Sequence, residues 1–146
     1  MADEVQSFAE NGGQILTFMS DGRFFAFEIL AVTDIIEIPE ITPIPKTPAY
    51  ISGIINHRGK AVPVMDFRKR LGFKDGYYNE RSCIIVVEIN SMQIGITVDM
   101  VADVENVLPN QIALSPVESS TVKYFVSAAK KRISVLDPER LVRGRR

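Results

Sequence analysis

The 146-residue sequence predicts an all-β protein: two small five-stranded barrels, SH3-like or OB-like, related by an internal pseudo-repeat and sharing an apolar core, with short cap helices. Three observations carry that prediction. Short apolar runs are set apart by Gly, Asn, Asp and Pro turn signals. The two halves of the chain repeat one pattern in the same order. Neither half has enough apolar residues to stand comfortably alone, so a common seam is expected between them.

Composition narrows the functional classes. Lys plus Arg number 17 against 18 Asp plus Glu, for a formal net charge of -1. That balance argues against a nucleic-acid binder, which needs a basic face to neutralise phosphates. No run reaches the roughly 18 apolar residues that signal a transmembrane helix. Residues 1–13 lack the basic start and apolar centre of a signal peptide. The single cysteine, Cys83, excludes an internal disulfide framework and fits a reducing cytosol. A soluble cytoplasmic protein is expected.

Residues 1–13 are polar, end in Asn11-Gly12-Gly13 and read as a flexible N-terminal tail. Ile15-Leu16-Thr17-Phe18 and Phe24-Phe25-Ala26-Phe27 flank the turn Ser20-Asp21-Gly22 as a hairpin. Residues 32–38 give a further strand. A turn of helix over 30–34 stays open, because a short apolar run cannot be typed by its period. Pro39, Pro43, Pro45 and Pro48 then remove backbone donors and fix φ, so this segment is extended and neither helix nor central strand. A second hairpin runs from Tyr50 to Asp66 around a four-residue polar connection, Asn56-His57-Arg58-Gly59, whose Asn and Gly tolerate left-handed backbone.

Asp66 caps a helix of one or two turns that Gly72 ends. Residues 73–81, with Asp75-Gly76, are a loop. Residues 83–89 and 93–98 form a third hairpin over Asn90-Ser91, Val101-Ala102-Asp103-Val104 follows, and 109–121 is a polar loop. Residues 124–127 and 133–136 pair across Lys130-Lys131-Arg132. Asp137 caps a closing helix with Pro138 in its first position, and 143–146 is a basic C-terminal end.

At the offset that carries Asp34 onto Asp103, Ile15-Leu16-Thr17-Phe18 falls on Ile84-Ile85-Val86-Val87, and Phe25-Ala26-Phe27 on Ile94-Gly95-Ile96. Val32-Thr33-Asp34-Ile35 falls on Val101-Ala102-Asp103-Val104, and two positions further along Val64-Met65-Asp66 matches Val135-Leu136-Asp137. Chance explains one such match but not four in order. The repeat defines one domain over 14–142, with halves of about 14–75 and 76–142 and exchange of strands between the barrels left open.

Little in the chain suits catalysis. His57 is the only histidine and has no Ser, Cys or second His at triad or metal spacing. Cys83 opens an apolar strand without basic neighbours and reads as a packed small hydrophobe. Capping accounts for Asp66 and Asp137 better than paired acid–base work does. Arg68-Lys69-Arg70 and Lys130-Lys131-Arg132 lack the aromatic interleaving of a nucleic-acid face. No enzyme activity, cofactor or metal is expected. What remains is a surface: Val32, the Pro-rich segment, Gly53, Arg58 and Gly95 as a groove of apolar groups and backbone with one planar, always-charged fork. For each strand glycine, a bulge or barrel corner and a close approach of a partner's backbone are both open.

Residues 51–66, Ile-Ser-Gly-Ile-Ile-Asn-His-Arg-Gly-Lys-Ala-Val-Pro-Val-Met-Asp, resemble the G-x-x-N-x-R-G-x-x-x-P-[VI]-x-D signature of CheW-type chemotaxis adaptors. The likeness continues in the upstream Pro-rich linker, in 94–104 and in Leu136-Asp137-Pro138-Glu139-Arg140-Leu141, covering about 14–142. It implies a non-catalytic adaptor between the cytoplasmic helical tips of chemoreceptors and the regulatory domain of the histidine kinase CheA. The adaptor would be cytoplasmic, recruited to membrane-associated receptor arrays without membrane insertion, and monomeric when free. By resemblance, the receptor groove is Val32, Gly53, Arg58 and Gly95, Asp34 meets the kinase, and Asn56, His57 and Gly59 complete the signature loop. His57 stands where Leu is common, Met100 where Gly is common, and the last hairpin is shorter. The other readings are a scaffold of this fold for another signalling or motility pathway, and a detached regulatory domain of a CheA-type kinase. Arg58→Ala and Val32→Glu are expected to leave the fold intact and weaken receptor coupling.

Overall fold

The computed structural model describes residues 8–74, 78–117, 120–128 and 130–143. Among them, one mixed sheet runs β8 (Met100–Val107), β1 (Gly13–Ser20), β2 (Arg23–Glu28), β11 (Lys131–Leu136), β10 (Val122–Ala128), β9 (Ile112–Leu114). A second runs β3 (Val32–Glu37), β6 (Cys83–Ile89), β7 (Met92–Val98), β5 (Lys60–Asp66), β4 (Ile51–His57). Helix α1 (Phe67–Leu71) follows β5, and α2 (Pro138–Arg143) follows β11.

The two orders are one order written twice. Under the sequence repeat, β8-β1-β2-β11-β10 maps onto β3-β6-β7-β5-β4. The registers agree residue for residue: Thr17 faces Asp103 as Val86 faces Asp34, and the parallel pair Ala26–Val135 repeats as Gly95–Val64. The sheets do not follow the sequence halves. Hairpin β1–β2 lies in the sheet otherwise built from the second half, and hairpin β6–β7 in the sheet otherwise built from the first.

This exchange explains why β1 and β6 read as continuous apolar runs rather than alternating ones. Both faces are buried, one in a barrel and one between the barrels. Ile84 and Val86 join Ile55, Val62 and Val64 inside the five-stranded unit. Ile85 and Val87 face the shared core, with Leu16, Phe18, Phe25, Phe27, Ile96 and both cap helices. Ile15, Ala26, Tyr124, Val126, Ile133 and Val135 fill the six-stranded unit.

The caps match expectation. Asp66 Oδ1 accepts from Lys69 N at 3.2 Å, and Gly72 ends α1 at φ +76°. Asp137 Oδ1 accepts from Glu139 N at 3.0 Å. The Pro-bearing segment makes no strand, only the bridge of Thr42 to Ile54.

Four expectations need correction. The tail reading of residues 1–13 fails over 8–13: a helical turn spans 8–11, Phe8 is buried, its ring 4.9 Å from that of Tyr124, and Gly13 opens β1. Phe8 and Ala9 form too short an apolar pair in this stretch for a period to show, so the burial of Phe8 leaves little local signal. The supposed polar loop 109–121 contains β9, a short edge strand that turns only Ile112 toward the core and leaves Ala113 and Leu114 exposed. The helix left open over 30–34 is a 3-10 turn, Ile29–Ala31. In the last hairpin Lys131 and Arg132 belong to β11, with Lys130 in the turn at φ +63°. Asp75-Gly76 and residues 1–7 and 144–146 lie outside the described residues. None of the described helices is long and apolar enough to cross a membrane.

Candidate functional site

The polar connection of the central hairpin is tighter than its sequence suggests. Asn56 and His57 pair with Ala61 and Lys60 in the ladder, leaving only Arg58 and Gly59 in the turn. Both have positive φ, +55° and +80°, as a two-residue type I′ turn demands. Gly59 supplies that conformation freely; Arg58 does so at a cost of about 1 kcal/mol. Asn56 Oδ1 offsets part of it by accepting from Gly59 N at 3.0 Å.

The turn places Arg58 over an acid. Arg58 Nη2 lies 2.8 Å from Asp34 Oδ2, and His57 Nε2 reaches the same oxygen at 3.2 Å. Asp34 Oδ1 accepts from Ile35 N at 2.9 Å, so both carboxylate oxygens are engaged within the chain. The Arg58 side chain is 76% exposed and presents its remaining N–H donors to solvent, whereas His57 is buried. The tip is therefore a held cation with apolar Ile35 exposed on the neighbouring strand. Such a group can grip a carboxylate or carbonyls on a partner but cannot move electrons or protons at a bound substrate.

The other expected groove residues are placed differently. Gly53 is buried at φ +147°, and a Cβ there would lie 2.1 Å from the Thr42 carbonyl oxygen. Its role is to let the Pro-bearing segment bridge to β4, with Thr42 and Ile54 exchanging backbone bonds at 2.9 Å. Gly95 is buried facing the interior of the five-stranded unit, where a Cβ would meet Ile84 Cγ2 at 2.8 Å. Neither glycine lines an open surface. Val32 is half-buried against the shared core, opposite Val87. Asp34, assigned by resemblance to kinase contact, belongs to the same cluster as Arg58.

Sequence reasoning missed the cleft beside Val32. A 560 Å³ depression between the units is lined by Phe8, Glu28, Ile29, Leu30, Glu88 and Lys123, among others. Leu30 stands 95% exposed at its rim, turned outward by the 3-10 turn. Lys123 Nζ pairs with Glu28 Oε2 at 2.6 Å within its lining. The basic triplet of α1 is not a phosphate site either. Arg68 is held by Asp99, and Arg70 donates to the Leu141 carbonyl at 2.7 Å.

No group of three or more His, Cys, Asp or Glu among the described residues could hold a metal ion. Burial pushes the Cys83 thiol pKa up, away from the thiolate a nucleophile needs.

A family model for the CheW-like domain matches residues 14–146. A chemotaxis protein CheW of Rhizobium meliloti is 34% identical over 116 residues, 80% of this chain and 75% of that protein. One from Thermotoga maritima is 30% identical over 145 residues, 97% and 92% of the two chains. The crystal structure of the scaffolding protein TtCheW from Thermoanaerobacter tengcongensis superposes with a TM-score of 0.82 at 32% identity, covering 86% of this chain and 89% of that one. With the signature hairpin and the twice-written sheet order, these matches show that the chain belongs to the CheW-like domain family.

Proposed function

We propose that this chain is a non-catalytic chemotaxis adaptor, coupling the cytoplasmic helical tips of chemoreceptors to the regulatory domain of a CheA-type histidine kinase. The observation that carries the reading is the Arg58 guanidinium, exposed yet fixed by Asp34 at the tip of the family's signature hairpin. A receptor helix laid along β3 would bury apolar side chains against Val32 and the Leu30 rim while Arg58 grips its polar edge. Gly53 and Gly95 serve this face from inside, by setting the backbone that carries it. Asp34 acts through Arg58, since its own oxygens are taken. The adaptor works in the cytoplasm, at receptor arrays.

The test is a titration of the purified protein against a receptor cytoplasmic fragment and, separately, against the kinase regulatory domain. Binding to both is expected, with Arg58→Ala weakening the receptor arm. Binding to neither cognate partner would remove this function and favour a scaffold for another pathway.

A further inference from the structure

Where the chain passes from one sheet to the other, a single guanidinium gathers three segments. Asp99 is the one residue between β7 of the five-stranded sheet and β8 of the six-stranded sheet. Arg68 of α1 grips it with a bidentate fork, Nε to Oδ1 at 2.9 Å and Nη2 to Oδ2 at 2.7 Å. Arg68 Nη1 donates to the Lys74 carbonyl at 2.7 Å and lies 3.6 Å from Asp21 Oδ1. Asp21, in the β1–β2 turn of the six-stranded sheet, donates its own N–H to Asp99 Oδ2 at 3.2 Å. The Arg68 side chain is only 17% exposed.

The apolar core between the units has little directional preference, so it resists separation of the units better than it resists rotation or sliding. A planar fork with two fixed hydrogen-bond directions supplies what that core lacks. The hydrogen bonds that Arg68 donates to Asp99 also raise the guanidinium pKa above its ordinary value.

We propose that Arg68 is a positioning residue of the docking cleft. By clamping Asp99 and the β1–β2 turn it sets the angle between the two β-units, and with it the width of the cleft where Ile29, Leu30 and Glu88 meet Lys123. That cleft abuts Val32, because Ala31 precedes Val32 and Glu88 follows its partner Val87. The inference rests on this cleft being the receptor seat, but the angle itself is measurable without any partner.

The experiment places spin labels on Met92→Cys in the five-stranded sheet and Asn106→Cys in the six-stranded sheet, in a Cys83→Ala background. Arg68→Met keeps the apolar stem and removes the fork; Asp99→Asn keeps the shape and removes the charge. Folding is checked by near-UV circular dichroism, and Asp99→Asn carries the test if Arg68→Met does not fold. Expected are a narrow distance distribution in the parent, a broadened or shifted one in the variants, and receptor-fragment affinity lowered about threefold to thirtyfold, the range of couplings seen for residues outside a binding site. Arg58→Ala should lose receptor affinity with its distribution unchanged. An unaltered distribution in folded Asp99→Asn overturns the clamp, and a broadened one with unaltered affinity overturns its effect on the cleft. A parent that ignores the receptor fragment fails the adaptor reading instead, while the distributions still decide the clamp.

Discussion

Asp34 on β3 and Arg58 at the tip of the β4–β5 hairpin meet at 2.8 Å although their strands are the two outer strands of the same five-stranded order. The contact ties two edges that are not hydrogen-bonded neighbours in the sheet. The groups assigned by resemblance to two different partners are thus one cluster, with His57 as its buried third member.

Because Arg58 is largely exposed, its ion pair is worth no more than about 1 kcal/mol to folding. Arg58→Ala and Asp34→Ala are expected to shift Tm by only a few degrees, and both to weaken receptor-fragment binding, in calorimetric titration. Strong receptor binding by Asp34→Ala would separate Asp34 from the Arg58 role.

Val32→Glu is a different matter. Val32 packs on the shared core, so a carboxylate there costs stability of about 1–3 kcal/mol as well as binding. Urea unfolding measures it, and an unchanged midpoint would contradict the packing.

Gly53→Ala is expected to destabilise by about 2 kcal/mol or more, since it meets both a positive φ and the Thr42 carbonyl. Gly95→Ala should cost about 1–3 kcal/mol through overpacking against Ile84. Both losses should appear in the isolated protein with no partner present, whereas a purely partner-facing glycine would show its effect only on binding.

Phe8→Ala tests the start of the fold. Removing a ring buried against Tyr124 should lower stability by about 2–4 kcal/mol, where a flexible tail would lose nothing.

Alkaline unfolding has a named source. Burial, then the hydrogen bond to Asp66, raises the Tyr78 pKa far above its ordinary value of about 10, its hydroxyl donating to Asp66 Oδ1 at 2.7 Å. Burial raises Tyr124 likewise. A raised folded pKa gives stability that is fully present below about pH 10 and lost above it, as the unfolded phenols ionise first. Tyr78→Phe should flatten the alkaline limb of Tm against pH, leaving the limb below pH 9 parallel to the parent's.

Much of the architecture was legible locally. Turn residues such as Asp21-Gly22, the caps Asp66 and Asp137, and the repeated Asp34 and Asp103 declare themselves within a few positions, because φ preference and capping depend on near neighbours. The central hairpin, by contrast, reads as a four-residue connection rather than the two-residue turn Arg58-Gly59. Family membership was legible in the same way, through the signature hairpin. The chain by itself therefore determined the strands other than β9, the repeat, the cap helices and the kind of protein.

Which hairpin enters which sheet was decided only in three dimensions. A hairpin with both faces apolar fits either unit, and only the packing of Phe18, Phe25 and Ile96 into one shared core selects the exchange. The same holds for Arg58 meeting Asp34, Arg68 meeting Asp99, the burial of Gly53 and Gly95, and Phe8 covering Tyr124. Each joins residues distant in the chain, and such pairings are set by how whole sheets close and stack, a choice that local preference does not encode.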